Sequence, residues 1–192
     1  MNWIPLVLVA VTAFALIVVE RPGLQIAILA VQYAAVAWLS SLALPSQVAA
    51  VKVVAGMITC GVLALTVAGS HAEDDKGSGR EFRVIAAILI LGAAIGLGRT
   101  NWMRIPDIQP EAIMAAAILM SMGLLQLGLF RDPLRVCIGL ITLLNGFEIA
   151  YAVIEPSLAI LALLASVHIG LAMVVSYLTL VAQPERLAED GE

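Results

Sequence analysis

Seven apolar stretches follow one another along this 192-residue chain, at 3–20, 23–43, 47–69, 83–98, 111–130, 134–154 and 157–181, each bounded by charge, proline or polar residues. A helix needs about 20 apolar residues to cross the hydrocarbon of a bilayer, with a range of about 17–25. Inside lipid only helices and closed barrels satisfy every backbone N–H and C=O. The pattern therefore predicts an all-α fold, a polytopic transmembrane helical bundle of about seven spans. The chain is 62% hydrophobic and 12% charged, whereas a soluble domain is about half apolar and about a quarter charged. A single transmembrane domain, 1–182, and a polar tail, 183–192, are expected. The first stretch lacks a basic leader, and Glu20-Arg21-Pro22 makes a poor cleavage site, so it reads as a span.

The weakest span, 83–98, is fully apolar only from Val84 to Gly98, and Arg83 and Arg99 are expected to reach out to the two surfaces while it crosses. Basic residues test the count. With seven crossings, Arg99 and Arg104 fall on one side, and Arg21, Lys76, Arg80, Arg83, Arg131, Arg135 and Arg186 on the other. Without the fourth crossing the split is six to three. Cytoplasmic flanks carry the excess of Lys and Arg. Seven spans in a cell inner (plasma) membrane are therefore favoured, with the N-terminus outside and the C-terminus cytoplasmic. Trp3, Trp38 and Trp102 then all fall at the outer interface, where indoles concentrate. The inner loop 71–83 is charged, the outer loop 99–110 holds prolines, and the tail 183–192 is expected to fray.

Small residues recur at helix-packing spacing in Gly92/Gly96, Ala112/Ala116 and Ala30/Ala34. They are expected to pack helices of the bundle against one another. Cys60 and Cys137 lie in different apolar stretches without metal-ligand spacing and read as small packing residues.

Polar groups within the spans carry the functional reading. A charge in hydrocarbon is costly and usually marks an ion or proton path, or pairs with another group. Glu148 stands 14 residues past Leu134, roughly 20 Å from the cytoplasmic side, in the outer half of its span, where it is either a protonatable relay or ion-pair site or a carboxylate wetted by headgroup water. Lys52 lies in the outer half of the third span. It either snorkels outward or pairs with Glu148. His168 is placed near the middle of the last span, as a proton shuttle or as a side chain bonded to a neighbouring helix. Asn145 shares a helix face with Glu148. Gln32 and Gln126 mark the second and fifth spans, and with Glu148 and His168 they are candidates for a polar thread. Ser166 is off the His168 face, and Tyr177 lies nearer the cytoplasmic end.

No nucleotide loop, HExxH or CxxC motif is present, and no Ser/His/Asp set. Only His168 is placed to ligate an intramembrane haem, because His71 is in a loop. No cofactor, no metal and no catalytic centre of its own are expected. Nor is a nucleic-acid partner, since no basic patch exists.

GLLQLGLF, the turn RDPLR, Ile138-Gly139, Asn145-Gly146 and the span after Glu155-Pro156 form a pattern over the last three spans. It resembles subunit K of respiratory complex I, the C subunit of Mrp-type Na+/H+ antiporters and component E of hydrogenase-4. Seven spans, the stretch IAILAVQYAAV after Arg21, and Lys52 in AAVKVV are most similar to component E. Where subunit K usually has a carboxylate stands Ile141, and where component E often has one stands Leu144. Glu148 shares their helix face one and two turns further on. No acid matches that of the final subunit K helix; His168 occupies its neighbourhood.

The resemblance implies a membrane subunit of an Mrp-related ion-translocating redox complex, with antiporter-like membrane subunits and lipid as its surroundings. Glu148, Lys52, His168 and Asn145 are its proton-relay candidates. A purely structural subunit and a small stand-alone cation or proton transporter are the rival readings. The latter calls for broken helices around a central cavity.

Overall fold

The computed structural model describes residues 3–41, 46–69, 79–98, 110–154 and 157–189. These residues form seven helices and no strand: α1 (Trp3–Val18), α2 (Pro22–Ser41), α3 (Ser46–Gly69), α4 (Arg80–Gly98), α5 (Pro110–Leu129), α6 (Pro133–Ile154) and α7 (Leu158–Glu189). Five of them, α2, α3, α5, α6 and α7, are long and apolar enough to cross a membrane. The all-α membrane bundle expected from the apolar pattern is the fold observed. Lys76, Arg99, Trp102, Arg104 and the Glu155-Pro156 pair lie outside the described residues.

Local chemistry starts the helices. Proline opens α2, α5 and α6, at the first-turn position where its missing N–H is not needed. Asp132 caps α6: its Oδ2 accepts from the backbone N of Arg135 at 3.2 Å, which is the Asp N-cap bond to the third helical residue. This gives the Asp-Pro of the RDPLR turn a mechanical reason. At its far end α7 continues to Glu189. The helix thus runs through most of the tail expected to fray, carried past Pro184 by good helix formers such as Leu187 and Ala188.

The helices alternate in direction. Only Val19–Arg21 separate α1 from α2. Arg83 at the start of α4 pairs with Glu20 at the end of α1 and stacks on Phe130 at the end of α5. One end of the bundle therefore gathers the starts of α2, α4 and α6 and the ends of α1 and α5. Arg83 does not snorkel as expected; it is 4% exposed, because a carboxylate and an aromatic face are nearer to it than water.

Burial runs opposite to that of a water-soluble protein. Met57, Leu65 and Leu89 are among the most exposed side chains, while Gln32, Asn145 and His168 are buried. The apolar exterior suits lipid, and polar groups turn inward. Among the described residues the interior has two large apolar clusters, beside the small contact of Ala152 with Leu161. Val9, Ile17, Val36, Leu119 and Met122 join α1, α2 and α5, with α4 and α6 contributing Ala87, Ala94 and Ile149. Leu29, Leu63, Ile141 and Ala172 join α2, α3, α6 and α7.

The most extensive helix pair among the described residues is α5 with α6. Their backbones touch. A Cβ on Gly123 would lie 2.5 Å from the Leu143 backbone N, and one on Gly146 would lie 2.8 Å from the Met120 N and 2.9 Å from the Ala116 O. Small residues substitute here for the missing hydrophobic drive between helices in lipid. The Ala112/Ala116 pair is buried in this region, as expected. The Gly92/Gly96 pair is not used this way: both glycines are exposed, with nothing within 4 Å of an added Cβ. Ala30 and Ala34 also face outward. Spacing marks a smooth helix face but not which neighbour, if any, covers it.

Gly123→Ala is expected to cost about 1–3 kcal/mol, the range for overpacking against unyielding backbone. Gly92→Ala should be neutral or should stabilise by up to ~1 kcal/mol through helix propensity. Reversible unfolding in mixed micelles compares the two; equal effects would reject the packing assignment.

Candidate functional site

Opposed helix directions bring distant sequence positions to one height. Lys52 is six residues in from the start of α3, and Glu148 is six residues short of the end of α6. Both lie about 9 Å inside the same end of the bundle. Their side chains meet: Lys52 Nζ is 2.7 Å from Glu148 Oε2, with the two side chains 4% and 9% exposed. Of the two readings of Lys52, the snorkelling one is corrected. With Glu148 at contact distance, the ammonium stays inside the bundle, and its burial is partly offset by the opposite charge.

The pair borders a void of about 10 Å³ whose polar walls are Tyr33, Lys52, Glu148 and His168. That is the room a single water needs. Val51, Ala55, Leu161 and Ala165 complete the lining. Val51 is 44% exposed, so the void lies close to the outer surface of the bundle between α3 and α7.

His168 enters from α7, 1% exposed, and its Nε2 has no hydrogen-bond partner. Tyr33 from α2 holds the imidazole edge to face, with ring centroids 5.8 Å apart at 79°. Tyr33 in turn rests on α3 where Gly56 leaves room; a Cβ there would lie 2.6 Å from the Tyr33 Cγ. The Tyr33 hydroxyl and the Thr59 hydroxyl are both buried without a hydrogen-bond partner.

A second layer of polar groups lies behind the pair. Asn145, one turn from Glu148 on α6, is fully buried, and neither atom of its amide has a partner. Thr142, a further turn along, donates to the Ile138 carbonyl at 2.8 Å and has Gln32 Oε1 as a longer acceptor at 3.4 Å. Gln126 of α5 packs on Gly139, and its Oε1 is buried and unpartnered. No contact among the described residues joins Gln32, Gln126, Glu148 and His168 to one another; Glu148 meets Lys52, His168 meets the Tyr33 ring and Gln32 meets Thr142. Ser166 and Tyr177 take no part. Ser166 bonds back to its own Ala162 carbonyl at 2.9 Å and Tyr177 is exposed.

Tyr33 and Gly56 are the site residues that the sequence did not announce. Tyr33 stood out only as part of a Tyr/Gln-containing stretch. Gly56 could have been matched to a bulky partner only once α2 was known to face α3. Among the described residues, no group of three His, Cys, Asp or Glu side chains is placed to hold a metal ion.

The chemistry open to this arrangement is proton movement. Shifting one proton from Lys52 Nζ to Glu148 converts an ion pair into a neutral pair without moving a heavy atom. The buried polar atoms around it, each costing about 1–3 kcal/mol if left unpaired, favour hydration of the void. Compared with known protein families, with curated proteins and with solved structures, the chain matches none of them.

Lys52→Met alone strands a buried carboxylate and is expected to cost about 3–5 kcal/mol of stability. Adding Glu148→Met should recover most of that loss, since a buried pair replaced by apolar groups is often neutral or better. A double-mutant cycle in mixed micelles reads the coupling; additive losses would show that the two groups do not depend on each other.

Proposed function

We propose that this chain is an integral membrane subunit of an ion-translocating redox complex, of the energy-converting hydrogenase or complex I-like kind. In it the Lys52–Glu148 pair holds and passes a proton. The observation that carries this reading is a buried ion pair at the wall of a water-sized void, 2.7 Å between charged atoms, inside a bundle whose exterior is apolar. Charged side chains inside a membrane bundle are rare and costly, and mark ion or proton paths by default. Glu148 takes the proton, Lys52 sets how readily it is held, and His168, which lines the same void, extends the path. Asn145 offers a donor and an acceptor to a passing water. The motif resemblance around RDPLR, Ile138-Gly139 and Asn145-Gly146 supports antiporter-like membrane subunits as neighbours and a separate redox arm as the source of energy.

Arg21, Arg80, Arg83, Arg131 and Arg135 belong to one end of the bundle, and Trp3 and Trp38 to the other. This supports an inner-membrane orientation with the N-terminus outside and the C-terminus cytoplasmic. The described helices are unbroken, which counts against a stand-alone transporter built around discontinuous helices.

Glu148→Gln keeps shape and removes the titrating group. In the intact complex, coupled proton translocation should fall by about tenfold or more, equivalent to about 1.4 kcal/mol in the rate-limiting barrier. Assembly, followed on native gels, should be unchanged. Normal translocation in a fully assembled variant rejects the relay and leaves the pair as a clamp between α3 and α6.

A further inference from the structure

The opposite end of the bundle holds a second buried charge cluster that the relay does not use. Arg83 near the start of α4 and Arg135 near the start of α6 are 4% and 7% exposed. Phe130 lies beneath both; the guanidinium carbons of Arg83 and Arg135 are 5.6 and 4.9 Å from its ring centroid. Arg83 pairs with the Glu20 carboxylate. Arg135 Nη2 reaches only the Glu20 backbone carbonyl, at 3.3 Å. The nearest acid in sequence, Asp132, is engaged with the backbone N of Arg135. The one carboxylate at the cluster thus pairs with Arg83, and Arg135 has no acid in ion-pair reach among the described residues.

Three guanidinium nitrogens of this cluster, Arg83 Nε and Nη1 and Arg135 Nη1, are buried without a hydrogen-bond partner. An aromatic face offsets part of the cost of a desolvated cation, but an uncompensated buried charge calls for an anion. The guanidinium fork matches phosphate oxygens in a bidentate manner. Arg21, Arg80 and Arg131 adjoin the cluster along the chain and are exposed, so the local field draws in negative charge. Position selects the source. The cluster sits where five helices begin or end, at one end of the apolar exterior, the level at which headgroups border a bundle that spans the hydrocarbon. Basic pockets between helices on this side of a membrane suit anionic headgroups. Glu20, with its side chain 48% exposed, marks the open flank.

We infer that Arg83 and Arg135 form a binding site for the phosphate of an anionic lipid headgroup, which supplies the missing counter-charge. This site is independent of the relay assigned to Lys52 and Glu148.

The test uses the full chain in nanodiscs of phosphatidylcholine, with and without phosphatidylglycerol. The anionic lipid should raise the thermal unfolding midpoint by roughly 2–4 °C, and Arg135→Gln should lose that rise. Because Arg135→Gln can also misfold, native mass spectrometry of the unaltered chain provides a second measurement. Phosphatidylglycerol should be retained over phosphatidylcholine by about tenfold, which corresponds to about 1.4 kcal/mol. Equal retention of the two lipids, or a full rise in Arg135→Gln, overturns the site. The same rise from inorganic phosphate in phosphatidylcholine discs overturns the lipid assignment. So does an unaltered chain without lipid preference whose Arg135 cross-links to an acidic residue of a co-purified subunit.

Discussion

Lipid tails are as apolar as leucine, so a bundle in a membrane cannot be held together by burying leucine. What remains is close approach of backbones and the pairing of polar groups that lipid will not accept. Both devices are present, and they divide the labour. Gly123, Gly139 and Gly146 let α5 and α6 approach until main-chain atoms touch. Lys52–Glu148, Thr66–Ser176 at 2.5 Å and Arg83–Glu20 tie together helices that have no such smooth seam. The seam gives a rigid half of the molecule, and the polar ties define where the other helices sit against it.

That division positions the candidate site. Glu148 is carried on α6, whose path is set by contact with α5. Lys52 and His168 are carried on α3 and α7, whose apolar windows are 39% and 28% buried, against 50% for α5 and 56% for α6. The carboxylate is thus held on the well-packed side and the two nitrogen bases on the loosely packed side, with Tyr33 of α2 between them. The void lies at the boundary of the two regions.

The fold was legible in the sequence because hydropathy and helix length are local quantities. Pro22, Pro110 and Pro133 mark helix starts without reference to anything distant. The pairing of Lys52 with Glu148 was half legible: two opposite charges at similar depth in opposed helices are bound to be considered partners, but depth says nothing about azimuth. Azimuth is why Gly92/Gly96 misled as a packing pair while Gly123, Gly139 and Gly146 stood in the sequence only as parts of a motif pattern. A glycine is informative about packing only when its neighbour is known. Arg83 and Arg135 taught the same lesson. As positive residues at a span end they indicated orientation; that both turn inward onto Phe130 depends on where α5 stops. The relay assignment rests on Glu148, Lys52, His168 and Asn145 being protonatable or water-binding and mutually near, and only the second of these needed the fold.

Since the Lys52–Glu148 contact ties α3 to α6 near one end and Thr66–Ser176 joins α3 to α7 toward the other, α3 is held at its two ends by polar contacts to different neighbours. The attraction across the 2.7 Å contact depends on whether both partners are charged. If the pair carries a proton as proposed, each change in occupancy at Glu148 changes the hold of α6 on α3 as well as the charge in the void. Occupancy and helix separation become two readings of one variable. Under the proposed role, a neighbouring subunit resting on α3 would sense the proton as a mechanical load, without touching either charged group.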